Sequence, residues 1–293
     1  MKTLVVGSTG LTGSEICRSL VGKGYLVRGL VRATSNPEKV NALKALGIEV
    51  VVGDLREPAL LASACAGVDA VITTVSSMPF SYVPGQNDLQ SVDLDGATNL
   101  IAAAKEARVR HFIFMSFTGN VDLTAPLGIA KRTVEQRLRD SGMPYTILRP
   151  GYFMEVWLSP AVGFDAANAQ AQIYGTGDQP ISWIALQDVV AFTVAALENP
   201  AARNAIIEMG GPAAVSPHQV IHCFEQKTGR KFSVTHVPPE ALQAQLADAT
   251  DPMQQSFISL MLCYAQGNSI EMRETARTYD IHLKSIEQFA QGA

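Results

Sequence analysis

The sequence predicts an α/β fold, a doubly wound parallel sheet with a smaller C-terminal α/β cap. Three observations carry this. From Lys2 to about Arg149, short β-branched apolar runs alternate with longer segments of helical period. The first of those runs passes directly into a glycine-rich turn and an amphipathic helix. After Pro150 the alternation loosens, but no Gly/Ser/Pro-rich linker marks a separable domain there.

In chain order, residues 3–6 read as a strand, 7–13 as a tight turn and 12–23 as a helix. Strands at 26–31, 49–52, 70–75, 112–115 and 145–148 then alternate with helical patterns at 37–46, 58–64, 89–107 and 129–141. Parallel pairing is implied, because short β-branched apolar runs alternate with segments long enough for a covering helix. Six strands with five crossovers make the sheet. Beyond Pro150, Gly175-Thr176-Gly177-Asp178 reads as a turn, 186–197 as a helix, 206–209 as a strand, 217–228 as a helix and 232–237 as a strand, with helical segments to about Gly267.

Composition narrows the function. The 293 residues are 47% hydrophobic and 17% charged, which is ordinary for a globular chain and ample for a core without disulfide or metal support. With 23 Lys and Arg against 27 Asp and Glu, the formal charge of −4 offers no footprint for nucleic acid. Cys17, Cys65, Cys223 and Cys263 stand far apart with no Cys-x-x-Cys pair, so they read as reduced thiols. His218 and His222 have metal-ligand spacing but no third ligand, and no metal is expected. No leader pattern and no 20-residue apolar run is present, which points to a cytoplasmic protein without membrane partners.

The turn Gly7-Ser8-Thr9-Gly10-Leu11-Thr12-Gly13 carries the main chemical signal. Glycine lets backbone N–H groups close on a pyrophosphate, and the helix that follows turns its positive end toward the anion. The fold is therefore Rossmann-type, with residues 1–150 as an NAD(P)-binding domain and 151–293 as a substrate-binding cap interleaved with it. At the end of the second strand, beside the adenosine ribose, stands Arg32 rather than an acid, which selects NADP(H) over NAD(H). Asp54 and Leu55 follow the third strand, where the adenine rim lies, and Thr74, Val75 and Ser76 follow the fourth, where the nicotinamide end passes. Phe153, Met154 and Trp157 concentrate apolar bulk after the sixth strand, and Phe80 and Tyr82 sit in the long loop after the fourth; together they read as walls for a small-molecule substrate.

The Gly7-x-x-Gly10-x-x-Gly13 spacing, Leu30-Val31-Arg32, Gly53-Asp54-Leu55 and the run from Tyr145 through Arg149-Pro150-Gly151 to Glu155 resemble the NmrA-like group of atypical short-chain dehydrogenases/reductases. The helix with Asp188-Val189-Val190-Ala191 and the exit Gly210-Gly211-Pro212 extend the resemblance over nearly the whole chain. It implies NADPH-dependent reduction of quinone, aromatic or isoflavone-type substrates, or cofactor sensing without turnover. It also implies active-site roles for Lys131, which matches the family lysine and should contact both cofactor and reacting groups, and for Ser116 after the fifth strand. Two departures stand out. Leu127 occupies the place of the usual tyrosine, four residues before Lys131, and Val156 replaces a common asparagine. A reductase must then take its proton from Lys131, from water held by Lys131 or Ser116, or from Tyr152. Lys131 and Glu135 stand at i and i+4, the spacing of a helical ion pair.

Two functions follow. One is an NADPH-dependent oxidoreductase passing hydride to an aromatic or conjugated acceptor of quinone, enone, azo or imine type. The other is a non-catalytic NADP(H)-sensing regulator or assembly factor, favoured by the missing tyrosine. Neither the acceptor nor the oligomeric state is written in the sequence; an oligomer is compatible with it.

Overall fold

The computed structural model describes residues 1–78, 81–120 and 123–292. The chain forms two compact units. The first comprises Met1–Ser116, Pro126–Leu148 and Val190–Ile207; the second comprises Phe117–Ala125, Arg149–Val189 and Glu208–Ala293.

The elements run β1 Lys2–Val6, α1 Leu11–Gly22, β2 Leu26–Val31, α2 Pro37–Ala45, β3 Glu49–Val52, α3 Pro58–Cys65 and β4 Ala70–Thr73. A π-helical segment Leu89–Gly96 leads into α4 Ala97–Glu106, followed by β5 His111–Met115, α5 Pro126–Asp140 and β6 Tyr145–Pro150. Then come β7 Tyr152–Phe153, α6 Met154–Trp157, β8 Phe164–Asp165, β9 Gln170–Tyr174, β10 Trp183–Ile184, α7 Leu186–Glu198 and β11 Ala205–Met209. The chain ends with α8 Pro217–Thr228, β12 Ser233–Val237, α9 Pro239–Asp248, α10 Pro252–Gln266, α11 Arg273–Tyr279 and α12 Ile286–Ala290.

The main sheet has the order β11-β6-β5-β4-β1-β2-β3, and each of the pairings among β1 to β6 is parallel. The doubly wound expectation therefore holds, with one addition: the strand expected at 206–209 joins this sheet as a seventh, outermost strand. A parallel neighbour needs a long crossover, and α7 supplies it.

Local sequence explains the elements. In α1 the buried residues Gly13, Ile16, Cys17 and Leu20 fall on one helical stripe. The helix α8 opens on a capping box, with Ser216 and Gln219 exchanging side-chain and backbone bonds, and closes on Gly229 in the left-handed region. The single helix expected over 89–107 is two geometries in series. Asp88 caps the π-helical part through Ser91, and Gly96 brings it so close to Leu55 that a Cβ there would lie 2.8 Å from the Leu55 Cβ.

The first unit's core is built from the inward side chains of its strands and helices, including Leu4, Leu61, Leu100, Phe112, Val134 and Ile147. The second unit holds a β7–β10 pair and a small sheet of order β12-β9-β8. None of the four cysteines forms a disulfide, and Cys17, Cys65 and Cys263 are buried. Among the described residues no helix is long and apolar enough to cross a membrane, and no three His, Cys, Asp or Glu side chains gather as a metal site.

Candidate active site

The site of interest begins where β1 ends. Gly7 has φ +88°, and a Cβ there would lie 2.7 Å from Thr74 Oγ1; a Cβ on Gly13 would lie 2.1 Å from the Gly7 carbonyl oxygen. Both glycines are therefore required for the turn to fold against β4's exit and against α1. Gly10 is the helix N-cap with φ −79°, and a Cβ there would meet the Gly7 oxygen at a tolerable 3.1 Å. No side chain caps α1 and no acid stands in its first turn. The first-turn N–H groups of Leu11, Thr12 and Gly13 are thus left to an anion, which is what a dinucleotide pyrophosphate requires. Ser8 is buried and its hydroxyl donates to the Leu30 carbonyl at 2.9 Å, so its side chain ties the turn to β2 while its backbone, with that of Thr9, forms the cradle.

Arg32 emerges from β2 into solvent, and its Nη1 donates to Asn87 Oδ1 at 2.7 Å. Asp54, after β3, is occupied by Arg56: Nε donates to Oδ1 at 2.9 Å, Nη2 to Oδ2 at 2.7 Å, and the backbone N–H to Oδ1 at 2.9 Å. These bonds hold the Asp54 carboxyl below the usual carboxylate range. Leu55 is buried beneath Gly96 and serves packing.

Around Lys131 the structure builds a buried polar cluster. The Lys131 ammonium lies 3.2 Å from Asp93 Oδ1, with the two side chains 6% and 0% exposed. Asp93 Oδ2 accepts from the Ser77 backbone N–H at 2.8 Å and its hydroxyl at 2.7 Å. Lys131 Nζ also reaches the Val75 carbonyl at 3.5 Å and stands 5.5 Å over the Phe114 ring. Lys131 thus pairs with Asp93, whereas the spacing suggested Glu135. Glu135 turns instead to Ser116, whose hydroxyl donates to it at 2.5 Å, and to Arg132. Arg132 Nη1 donates to Ser116 Oγ at 3.2 Å. The Ser116 proton is therefore engaged by Glu135, and the Lys131 ammonium stands beside Asp93 and the Val75 carbonyl at the β4 exit. Ser76 accepts from the Met78 N–H at 3.3 Å and shapes the same exit.

Of the remaining predicted residues, Tyr152, Phe153, Met154 and Trp157 belong to the second unit and Tyr82 to the first. Tyr152 is fully buried in the second unit, edge-on to the rings of Phe117, Trp157 and Tyr264 and tilted against Trp183. Its hydroxyl is buried, and burial pushes the phenol far above its ordinary range against a smaller opposing effect of a hydrogen bond with Asn120. Met154 and Trp157 are likewise buried there, and Phe153 is half-buried. Tyr82, in the first unit, keeps part of its ring exposed. Phe80 lies outside the described residues.

Sequence reasoning missed Asp93, Arg56 and Asn87. For Asp93 a signal existed: it is a lone acid on the face that carries Leu89, Val92 and Gly96, all buried. A carboxylate in that position needs a partner. For the others no local signal distinguishes them from turn residues.

The NmrA-like family model matches residues 1–290. The NAD(P)H azoreductase of Xenophilus azovorans is 32% identical over 260 residues, spanning 88% of this chain and 84% of that protein. The photosystem II assembly factor Ycf39 of Trieres chinensis is 32% identical over 240 residues, spanning 81% of this chain and 72% of that one. The crystal structure of an NADPH-dependent quinone oxidoreductase from Escherichia coli, in complex with NADPH, superposes with a TM-score of 0.78 over 99% of both chains at 21% identity.

Proposed function

The chain belongs to the NmrA-like family, and from that premise we propose that it is an NADPH-dependent reductase of the atypical short-chain dehydrogenase/reductase type, acting on a small aromatic or conjugated acceptor such as a quinone, enone, azo compound or imine. The observation that carries the reading is the buried Lys131–Asp93 pair at the exit of β4, in the same unit as the uncapped glycine turn. A buried ion pair is weak evidence for stability alone, because apolar residues of like volume serve as well or better. Its retention at a sheet edge where ligands bind points to use.

Each step belongs to a named group. The backbone of Gly7 to Gly13 holds the pyrophosphate and Arg32 the 2′-phosphate. NADPH, when bound, supplies the hydride. The Lys131 ammonium gives a proton to the acceptor oxygen or nitrogen as negative charge arrives there, and is reprotonated from water. Asp93, fixed by Ser77, holds the ammonium in place. Ser116, fixed by Glu135 and Arg132, presents a lone pair rather than a proton. Leu127 cannot donate, so the lysine does the work that a tyrosine usually does. NADPH consumption across a panel of these acceptors is the test, and an enzyme that binds NADPH yet reduces none of them refutes the proposal.

A second reading, a non-catalytic NADP(H)-responsive regulator or assembly factor, is supported by Leu127 and by the assembly-factor relative. It requires that NADPH alter the protease sensitivity of the segment after Pro150 with no acceptor turned over.

A further inference from the structure

We propose that Asn87 is a positioning residue that sets the preference for the phosphorylated cofactor by holding Arg32. The inference rests on the NADP(H) reading above. Arg32 is a long, exposed cation, and such a side chain carries rotamer entropy that a ligand must overcome unless something else already orders it. Here Asn87 does so, accepting from Nη1 at 2.7 Å. One N–H of the guanidinium is used, and the edge formed by Nε and Nη2 remains for the two oxygens of a phosphate.

Asn87 is itself immobile. It is buried, and its Nδ2 donates to the Ser81 carbonyl and, at 3.2 Å, to Ser81 Oγ. Its backbone exchanges bonds with Val83 at 2.8 and 2.9 Å. The next residue, Asp88, accepts from the Gly85 and Ser91 N–H groups at 2.9 and 2.8 Å, which anchors the loop to the π-helical segment. The order imposed on Arg32 thus comes from the far side of the sheet centre, through β4's loop.

The choice of an amide matters. A neutral acceptor fixes the guanidinium without cancelling its charge, whereas a carboxylate in the same place would form an ion pair and repel a phosphate. The neighbouring carboxylate, Asp54, is taken up by the fork of Arg56, and Arg56 Nη1 donates in turn to the Gln86 carbonyl of the same loop. Asp54 thus forms its ion pair with Arg56, and the contact Arg32 makes is to a neutral amide.

The test is calorimetric titration of the full chain with NADPH, NADH, 2′,5′-ADP and 5′-AMP. The wild type, Asn87→Ala, Asn87→Asp, Arg32→Ala and the double variant Asn87→Ala/Arg32→Ala are compared, each checked for its folded spectrum by circular dichroism. Asn87→Ala should weaken NADPH and 2′,5′-ADP about tenfold while NADH and 5′-AMP stay within about twofold. Asn87→Asp, nearly isosteric, keeps an acceptor for Nη1 but loses the Nδ2 donation to the Ser81 carbonyl and adds a negative charge beside Arg32, so it should weaken the phosphorylated ligands at least as much. In the Arg32→Ala background, removing Asn87 should add nothing. Equal losses for phosphorylated and unphosphorylated ligands, or additive losses in the double variant, overturn the inference. Equal wild-type affinities for NADPH and NADH overturn the cofactor reading, and a preference that survives Asn87→Ala and Asn87→Asp overturns this inference alone.

Discussion

Lys131→Met keeps the aliphatic stem and removes the ammonium, and the structure lets its two consequences be separated. The first is stability. Asp93 is fully buried, and without the lysine its carboxylate retains only the two bonds from Ser77. Breaking one side of a buried pair costs about 3–5 kcal/mol. At about 2–4 °C per kcal/mol for a unit of this size, the melting temperature should fall by roughly 6–20 °C. The second consequence is chemical. A positioned general acid is worth about 10²–10⁴-fold in rate, so turnover should fall by at least two orders of magnitude.

The double variant Lys131→Met/Asp93→Asn tells the two apart. It replaces the pair by neutral groups of similar shape, and the amide oxygen that takes the carboxylate's place still accepts from Ser77. Most of the lost stability should return, because the uncompensated charge is gone. Turnover should not return, because no proton donor has been restored. The assay is steady-state NADPH oxidation with an accepted substrate, run beside thermal unfolding for the same preparations. If the double variant turns over within about threefold of wild type, Lys131 is a structural cation and the proton comes from solvent or another group.

Gly10→Val should retain the folded circular dichroism spectrum and lose measurable NADPH binding, since its Cβ is tolerated by the turn at 3.1 Å but stands at the anion's place; normal binding would put the pyrophosphate elsewhere. Tyr152→Phe removes a buried hydroxyl whose polar neighbour is Asn120, so stability should change by no more than about 1.5 kcal/mol and turnover stay within about threefold, and a hundredfold loss would identify the phenol as the proton donor. Glu155, whose carboxyl accepts from the Leu186 N–H at 2.9 Å, is held above its usual range by burial and by the nearby Asp188. A raised folded value means that its contribution to stability is present in acid and lost as pH rises through that value. Glu155→Gln should therefore match wild type near pH 4, close to the ordinary glutamate value of about 4.3, and melt higher at neutral pH; parallel curves for the two proteins would refute this.

Legibility followed locality. The glycine turn could be read because its requirement is local, a strand, a tight turn and a helix in immediate succession. The seventh strand was placed outside the sheet because Ala205–Met209 meets β6 only after a crossover of more than fifty residues, and nothing within the strand records its partner. The π-helical segment escaped because one extra residue per turn leaves the apolar spacing of 89–107 almost unchanged. Tyr152, Met154 and Trp157 read as pocket lining or as core from identical evidence; all three are buried, and Trp157 also lines a cavity with Tyr174, Trp183 and Tyr264.

Parallel topology explains why the rest of the site was accessible at all. With β1 to β5 pointing the same way, the glycine turn, Arg32, Asp54, Thr74 to Ser77 and Ser116 must all leave the sheet on one edge, whatever their side chains do. What topology leaves open is the pairing of charges across that edge. Lys131 and Glu135 are one helical turn apart on α5, and an isolated helix would pair them. In the folded chain both are buried: the lysine takes Asp93 from the π-helical segment, and the glutamate takes Ser116 from the β5 exit together with Arg132 and Arg139 of its own helix. Were the lysine and glutamate to pair with each other, Asp93 would be left as a buried carboxylate without a cation, at a cost larger than any exposed helical ion pair returns. The longer-range arrangement therefore wins, and it leaves the ammonium at the β4 exit instead of folded back along its own helix.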